Sequence, residues 1–90
     1  MRRAAKRDAN EPALVKLARD LGAVMVFAGP LDWWCFWRAW HPVEIKNPEG
    51  KNQYTDDQKK FLDKCYLRNA PVWTWRSERD VFDSFGVQVP

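Results

Sequence analysis

Apolar and polar residues alternate along this chain in a pattern that predicts seven short elements: a helix, three strands, a helix, a strand and a last helix. Residues 11 to 21 carry apolar side chains at helical spacing, and Pro12 lies in the first turn, where a missing N–H is tolerated. Asn10, or Asp8 just before it, can cap this helix, and Gly22 can end it. The first predicted element is therefore a helix of about three turns.

Three apolar runs predict the next three elements as strands. AVMVFA (residues 23 to 28) is short and β-branched, and DWWCFW (32 to 37) and WHPVEIK (40 to 46) follow it. Apolar residues fall on both faces of the last two runs, so we expect a sheet that is covered on each side. Pro42 cannot donate to a strand ladder, so we expect it at the beginning of the third strand or at a bulge.

The second half of the chain predicts a helix, a strand and a short helix. Thr55 and Gln58 have the spacing of a capping box, and the helix that they open runs to about Arg68. Its apolar stripe consists of Phe61, Leu62, Cys65 and Tyr66. PVWTW (71 to 75) is typical of a fourth strand, and Ser77 can cap the last helix. The residues that pack and end this helix are Val81, Phe82, Phe85 and Gly86.

Length and composition narrow the class of protein. Residues 1 to 90 are expected to form a single domain, with residues 1 to 9 as a flexible basic arm. Hydrophobic residues make up 46% of the chain and charged residues 30%, a balance typical of soluble globular proteins. No apolar run reaches the roughly 18 residues of a membrane helix, and the basic start lacks a signal-peptide core, so we expect a cytoplasmic protein. Cys35 and Cys65 lack metal-type spacing and are expected to be reduced core thiols.

The basic residues are concentrated in two zones. The net charge is +3, and the zones lie in residues 1 to 9 and 46 to 60, where they can follow a phosphate backbone or act as solvated surface charge. Trp40 and Tyr54 lie near a predicted turn and loop and can stack on bases, whereas the other tryptophans are expected in the core. The candidate nucleic-acid contacts are Arg2, Arg3, Lys6, Arg7, Lys51, Tyr54 and Lys59.

Three charged residues interrupt the apolar strands. Glu44 and Lys46 are two apart and share a strand face, where a solvated salt bridge explains them without any chemistry. Asp32 can bring a second carboxylate beside Glu44, but a two-residue hairpin loop would set it opposite Ile45, on the wrong face. We therefore predict a three-residue loop or a bulge within residues 37 to 42. Two carboxylates that meet there need a cation, and hard oxygen ligands favour Mg²⁺ or Mn²⁺.

These residues resemble the motifs of the PD-(D/E)XK nucleases. Residues 29 to 32, Gly-Pro-Leu-Asp, resemble the PD element with one inserted residue, and residues 44 to 46, Glu-Ile-Lys, resemble the (D/E)XK element. Glu11 resembles the first-helix glutamate of several branches. The segment TDDQKKF, which contains Gln58, is similar to the VRR-NUC group and to archaeal Holliday-junction resolvases. The resemblance implies a restriction-endonuclease-like core, an α/β fold with a mixed four-stranded sheet flanked by helices.

The same resemblance implies a divalent-metal-dependent endonuclease that hydrolyses phosphodiester bonds of branched DNA as a homodimer. The implied ligands of Mg²⁺ or Mn²⁺ are Asp32, Glu44, Glu11 and the Ile45 carbonyl. Lys46 would orient the attacking water or stabilise charge on the phosphate, and Gln58 would assist. A chain of this size is expected to recognise the shape and backbone of DNA rather than its sequence.

Simpler explanations stay open for several of these residues. Glu11 is also an ordinary first-turn acid that the helix dipole favours, and Gln58 is fully explained as the third residue of a capping box. His41, the single histidine, is expected to be packed or solvated rather than catalytic. The alternative function is a non-catalytic nucleic-acid- or protein-binding module that keeps the nuclease fold.

Overall fold

The predicted order of elements is confirmed in the computed structural model, which describes residues 9 to 29, 31 to 47 and 54 to 88. The helices are α1 (Glu11–Asp20), α2 (Asp56–Leu67) and α3 (Glu78–Phe85), and the strands are β1 (Val24–Phe27), β2 (Trp33–Phe36), β3 (Trp40–Ile45) and β4 (Trp73–Trp75). Each element ends within about two residues of its predicted bounds, the error expected of element boundaries. The basic arm, apart from Ala9, and the proline of the Gly-Pro turn lie outside the described residues.

The sheet is open and mixed, with the strand order β1-β2-β3-β4. The first three strands are antiparallel, and β4 runs parallel to β3. Phe36 pairs with Trp40, so the β2–β3 hairpin has a three-residue loop, and Arg38 within it adopts a positive φ of 70°. A loop of this length commonly contains one left-handed residue, and Trp37 N donates to Ala39 O across it at 2.9 Å. The predicted loop irregularity is confirmed.

Helices α1 and α3 cover one face of the sheet. Their apolar side chains join the alternate residues of the strands that point the same way, and this burial removes the apolar surface from water. The largest fully buried side chains are Trp75, Leu14, Ile45, Val43, Val81 and Cys35. Cys35 and Cys65 are both free and buried, as expected. Burial also raises the pKa of the Cys35 thiol to about 12, because the thiolate is poorly solvated there.

The opposite face of the sheet is covered only in part. Phe61 of α2 meets Trp34 edge-on at 6.4 Å, and Cys65 is buried, but Tyr66 is 82% exposed. Tyr66 was therefore wrongly predicted to belong to the packed stripe of α2. Four apolar strand residues on this face remain exposed: Val24, Val26, Phe36 and Trp40. The expectation of a sheet covered on each side is wrong here, because the contact from α2 reaches Trp34 in the middle of the sheet and leaves these side chains in solvent.

Pro42 differs from its predicted position. It is buried inside β3, opposite Trp34, and not at the first residue of the strand. β4 pairs with β3 only from Val43 onward, so no β4 residue lies beside Pro42 that needs a donor from it. A proline is tolerated in a strand where one side lacks a partner.

Candidate functional site

Asp32 and Glu44 meet at the end of the β2–β3 ladder. The β2–β3 register ends where Trp33 pairs with Val43, and Asp32 directly precedes this last pair. Asp32 N donates to Val43 O at 3.2 Å, and the Asp32 carboxylate accepts from Ile45 N at 2.8 Å. Asp32 thus binds the β3 backbone next to Glu44, and the predicted meeting of the two carboxylates stays a prediction.

Lys46 completes this group. Its Nζ lies 2.9 Å from Glu44 Oε2, and the two side chains are only 12% and 5% exposed, respectively. The sequence allowed for a salt bridge on a solvated strand face, but the pair is buried. Removing two charges from water costs several kcal/mol each, and their attraction offsets this cost only when the geometry is good. A buried pair of this kind is therefore weak evidence for stability and stronger evidence for a role that needs the charges.

Tyr54 packs against the same ammonium group. Its half-buried ring lies 4.5 Å from Lys46 Nζ, within the range of a cation–π contact. Of the other predicted nucleic-acid contacts, Lys59 is exposed on α2. The remaining five, Arg2, Arg3, Lys6, Arg7 and Lys51, lie outside the described residues. Base stacking by Tyr54 and backbone binding by these cations stay predictions.

Glu11 is buried and bonded to the residue that follows Asp32. It is 6% exposed, and its Oε2 accepts from Trp33 Nε1 at 2.7 Å. Within the described ranges, no group of three or more His, Cys, Asp and Glu side chains is arranged to hold a metal ion. The bond to Trp33 gives Glu11 a structural partner on the α1 side of the sheet, and its role as a metal ligand stays a prediction.

The donor set of the site suits a hard cation. Asp32 and Glu44 contribute carboxylate oxygens from neighbouring strands, and Ile45 between Glu44 and Lys46 contributes a backbone carbonyl. Mg²⁺ and Mn²⁺ prefer oxygen ligands of these kinds and keep several waters of their own. These oxygens are of the kind that such an ion prefers, Lys46 is the neighbouring positive charge, and binding of Mg²⁺ or Mn²⁺ stays a prediction.

Gln58 has a local structural role. Gln58 N donates to Thr55 Oγ1 at 3.2 Å, and Thr55 N donates to Gln58 Oε1 at 3.1 Å. These two bonds confirm the predicted capping box at the start of α2. Its assistance to catalysis stays a prediction.

His41 and Trp40 lie apart from the charged group, along the β2–β3 hairpin. The His41 ring stacks on Trp73 at 3.9 Å, and its buried Nδ1 has no hydrogen-bond partner in the described part of the chain. This is the packed position that the sequence favoured over catalysis. Trp40 is 51% exposed and contacts Phe36 at 5.3 Å, so its indole is accessible.

Asn10 binds the backbone of Lys46, a contact that the sequence analysis did not predict. It was predicted to cap α1, but its side chain makes no cap bond. The amide nitrogen instead donates to Lys46 O at 3.1 Å and to Arg76 O at 3.0 Å. Local spacing could not reveal this, because both acceptors are distant in sequence.

No helix in the three described segments is long and apolar enough to cross a membrane. No protein-family model matches the chain, and no curated protein or solved structure was found to match it.

Proposed function

We propose that this protein is a divalent-metal-dependent DNA endonuclease with a PD-(D/E)XK-type core, acting on branched DNA in the cytoplasm. One observation carries the proposal: Glu44 and Lys46 form a buried ion pair, and the Asp32 carboxylate binds the backbone nitrogen of Ile45, the residue between them. Two carboxylates and one ammonium group at the end of a strand ladder are the groups that metal-assisted phosphodiester hydrolysis requires. The order of elements and the mixed sheet agree with this type of core.

The energetics of the site support a chemical role. Apolar residues in place of a buried ion pair are often neutral or stabilising, so stability alone gives little reason for Glu44 and Lys46 in an otherwise apolar sheet. Val43 and Ile45 beside them are 0% and 2% exposed and already supply the packing of β3. A function that needs the charges explains their presence better.

The proposed mechanism gives each group one role. Asp32, Glu44 and the Ile45 carbonyl would hold the ion, which would supply Lewis-acid activation of the phosphate and of a bound water. The Lys46 ammonium, 2.9 Å from Glu44, would orient the water or stabilise the negative charge that builds on the phosphorus oxygens.

The choice of branched DNA rests on the chemistry of the contacts and on the resemblance to VRR-NUC nucleases and Holliday-junction resolvases. Cations such as Lys59 bind the phosphate backbone, which fixes position without reading sequence. Selectivity must then come from the shape and deformability of the DNA. A homodimer would supply two sites related by two-fold symmetry, which suits matched cuts on opposite strands of a junction. Light scattering of the purified protein measures its mass in solution and so tests whether it forms a dimer.

The decisive experiment is a cleavage assay. The protein is incubated with a four-way junction, a splayed duplex and a linear duplex, each with Mg²⁺, Mn²⁺ or chelator. We expect products only with metal and mainly from the branched substrates. Asp32→Asn keeps an oxygen that can accept from Ile45 N, so it should stay folded and lose cleavage by at least about 100-fold, since a metal ligand is lost.

A matched control comes from α2. Asp63→Asn makes the same change of charge at an exposed position and should cleave at the parental rate. Full cleavage by folded Asp32→Asn, or equal cleavage in chelator, would exclude the proposed mechanism.

A second candidate function, a non-catalytic binding module, is favoured by a different observation. Val24, Val26, Phe36 and Trp40 form an exposed apolar face of a kind that often marks protein contacts. Under this alternative, DNA binding or protein binding would persist unchanged in chelator, and no substrate would be cut with any metal.

A further inference from the structure

The side chain of Asn10 joins three parts of the fold beside Lys46. The residue begins α1, while Lys46 directly follows β3 and Arg76 directly follows β4. Its amide nitrogen lies 3.1 Å from Lys46 O and 3.0 Å from Arg76 O. A side-chain amide has two N–H donors, so these two bonds use both of them. The helix start and the ends of the two parallel strands are thereby held together by a single group.

The orientation of this amide is decided by its partners. Both neighbouring atoms are carbonyl oxygens, so the atom that faces them must be the nitrogen. The amide oxygen is buried and finds no hydrogen-bond partner among the described residues. Among the described residues, Asn10 thus has neither a partner for its own oxygen nor a cap bond to its own helix. Such an arrangement indicates that the two long-range bonds matter more than the local cap.

The bond to Lys46 O acts where the sheet ends. Lys46 N donates to Trp75 O at 2.9 Å, which extends the parallel ladder by one step beyond Ile45. The amide of Asn10 then holds the carbonyl of the same residue. Both peptide groups that flank the Lys46 Cα are therefore restrained, so the long side chain extends from a fixed origin.

We infer that Asn10 is a positioning residue for Lys46, an inference that rests on the proposed function. With Glu44 bound to a divalent ion, the ion pair that holds the ammonium would be weakened. The fixed backbone of Lys46 would then keep the ammonium within reach of the phosphate. Small displacements of a reacting group cost up to about 100-fold in rate, so the loss of this restraint should affect turnover more than binding.

The test replaces the amide by groups of similar size that cannot donate two bonds. Asn10→Asp places a carboxylate against two carbonyl oxygens, and Asn10→Ser leaves a single, shorter hydroxyl; the Asn10 side chain makes no cap bond, so neither change removes a cap from α1. At a temperature where circular dichroism shows each variant to be folded, we expect kcat on branched DNA to fall about 10- to 100-fold. The KM for DNA and the Mg²⁺ midpoint should change by less than about two-fold, because binding groups are untouched.

Asn69→Asp is the matched control. It makes the same chemical change at an exposed residue after α2 and should cleave at the parental rate. A double-variant cycle gives a readout that general loosening of the fold would not produce. In a Lys46→Arg background, Asn10→Asp should reduce the rate by less than about two-fold more, because the positioned group is already altered.

The outcomes separate this inference from the proposed function. If the parent protein cuts no substrate with any metal, the proposed function fails and the positioning role falls with it. If the parent cuts and folded Asn10→Asp and Asn10→Ser match its kcat, or if their losses multiply in full with that of Lys46→Arg, only the positioning role is overturned.

Discussion

The two faces of the sheet are formed by the same strands but differ in burial and in charge. Beneath α1 and α3, the residues Cys35, Val43, Ile45 and Trp75 are at most 2% exposed and form a continuous apolar core. On the other face, β3 carries the buried Glu44–Lys46 pair, and Trp40 and its neighbours remain in solvent. The first face accounts for the stability of the fold. The second retains charged and exposed groups that stability alone does not require.

The largest expected effect contrasts two tryptophans on opposite faces. Trp75→Ala removes a fully buried indole that also donates to Ser84 Oγ at 2.9 Å, and we expect a loss of about 3–5 kcal/mol in the free energy of unfolding. Trp40→Ala, at 51% exposure, should cost less than about 1 kcal/mol. Urea unfolding followed by circular dichroism measures both. Equal losses would mean that the two faces are not energetically distinct.

The ion pair offers a sharper test of the second face. Lys46→Met leaves the Glu44 carboxylate buried without its ammonium partner, so we expect a loss of about 3–5 kcal/mol. The double variant Glu44→Leu/Lys46→Met replaces both charges by apolar groups and should regain the parental stability or exceed it by about 1–4 kcal/mol. Both proteins should be inactive in the cleavage assay. A double variant as unstable as Lys46→Met would show instead that the pair is retained for stability.

Alkaline pH should lower the free energy of unfolding through Cys35, which lies in the core beneath α1 and α3. Its pKa is about 12 in the folded protein against an ordinary 9.0, so the unfolded chain loses this proton first as the pH rises. Stability is therefore unaffected by this thiol below pH 9 and falls between pH 9 and 12, by at most about 1.4 kcal/mol per pH unit.

The measurement compares the parent with Cys35→Ala by urea unfolding on either side of pH 9. Other alkaline titrations are common to both proteins, so the difference between them isolates the thiol. If the stability of the parent protein declines no more steeply with pH than that of Cys35→Ala, the prediction of a raised Cys35 pKa is wrong.

The smallest expected effect concerns the β2–β3 hairpin, whose loop sets the register of these two strands. Arg38 has a φ of 70°, which is strained for a residue with a Cβ, so Arg38→Gly should stabilise the protein by up to about 1 kcal/mol. Ala39→Gly is the control in the same loop; Ala39 has no positive φ, and the added freedom of the unfolded chain should cost about 0.5–1 kcal/mol. Thermal unfolding measures both. A destabilised Arg38→Gly would mean that the arginine side chain has contacts that outweigh its backbone strain.

Much of the site was predictable, because its pieces obey local rules. The alternation of side chains placed Glu44 and Lys46 on one face, and hairpin geometry predicted a longer β2–β3 loop, which the register confirms. The capping box of Thr55 and Gln58 was likewise predictable from spacing alone. What could not be predicted were the burial of the ion pair and the partners of Asn10.

The sequence by itself determined the order of helices and strands, the bounds of each element to within about two residues and the shared face of Glu44 and Lys46. These features depend on side-chain periodicity and on turn geometry over a few residues. Only the tertiary structure decided that α2 contacts the sheet at Trp34 and leaves Tyr66 and Trp40 exposed, and that Asn10 binds two strand ends instead of its own helix. Such outcomes depend on how separate elements compete for the same apolar surface and the same hydrogen-bond donors. The outcome is set only when the whole chain packs, so it cannot be predicted from any short segment of the sequence.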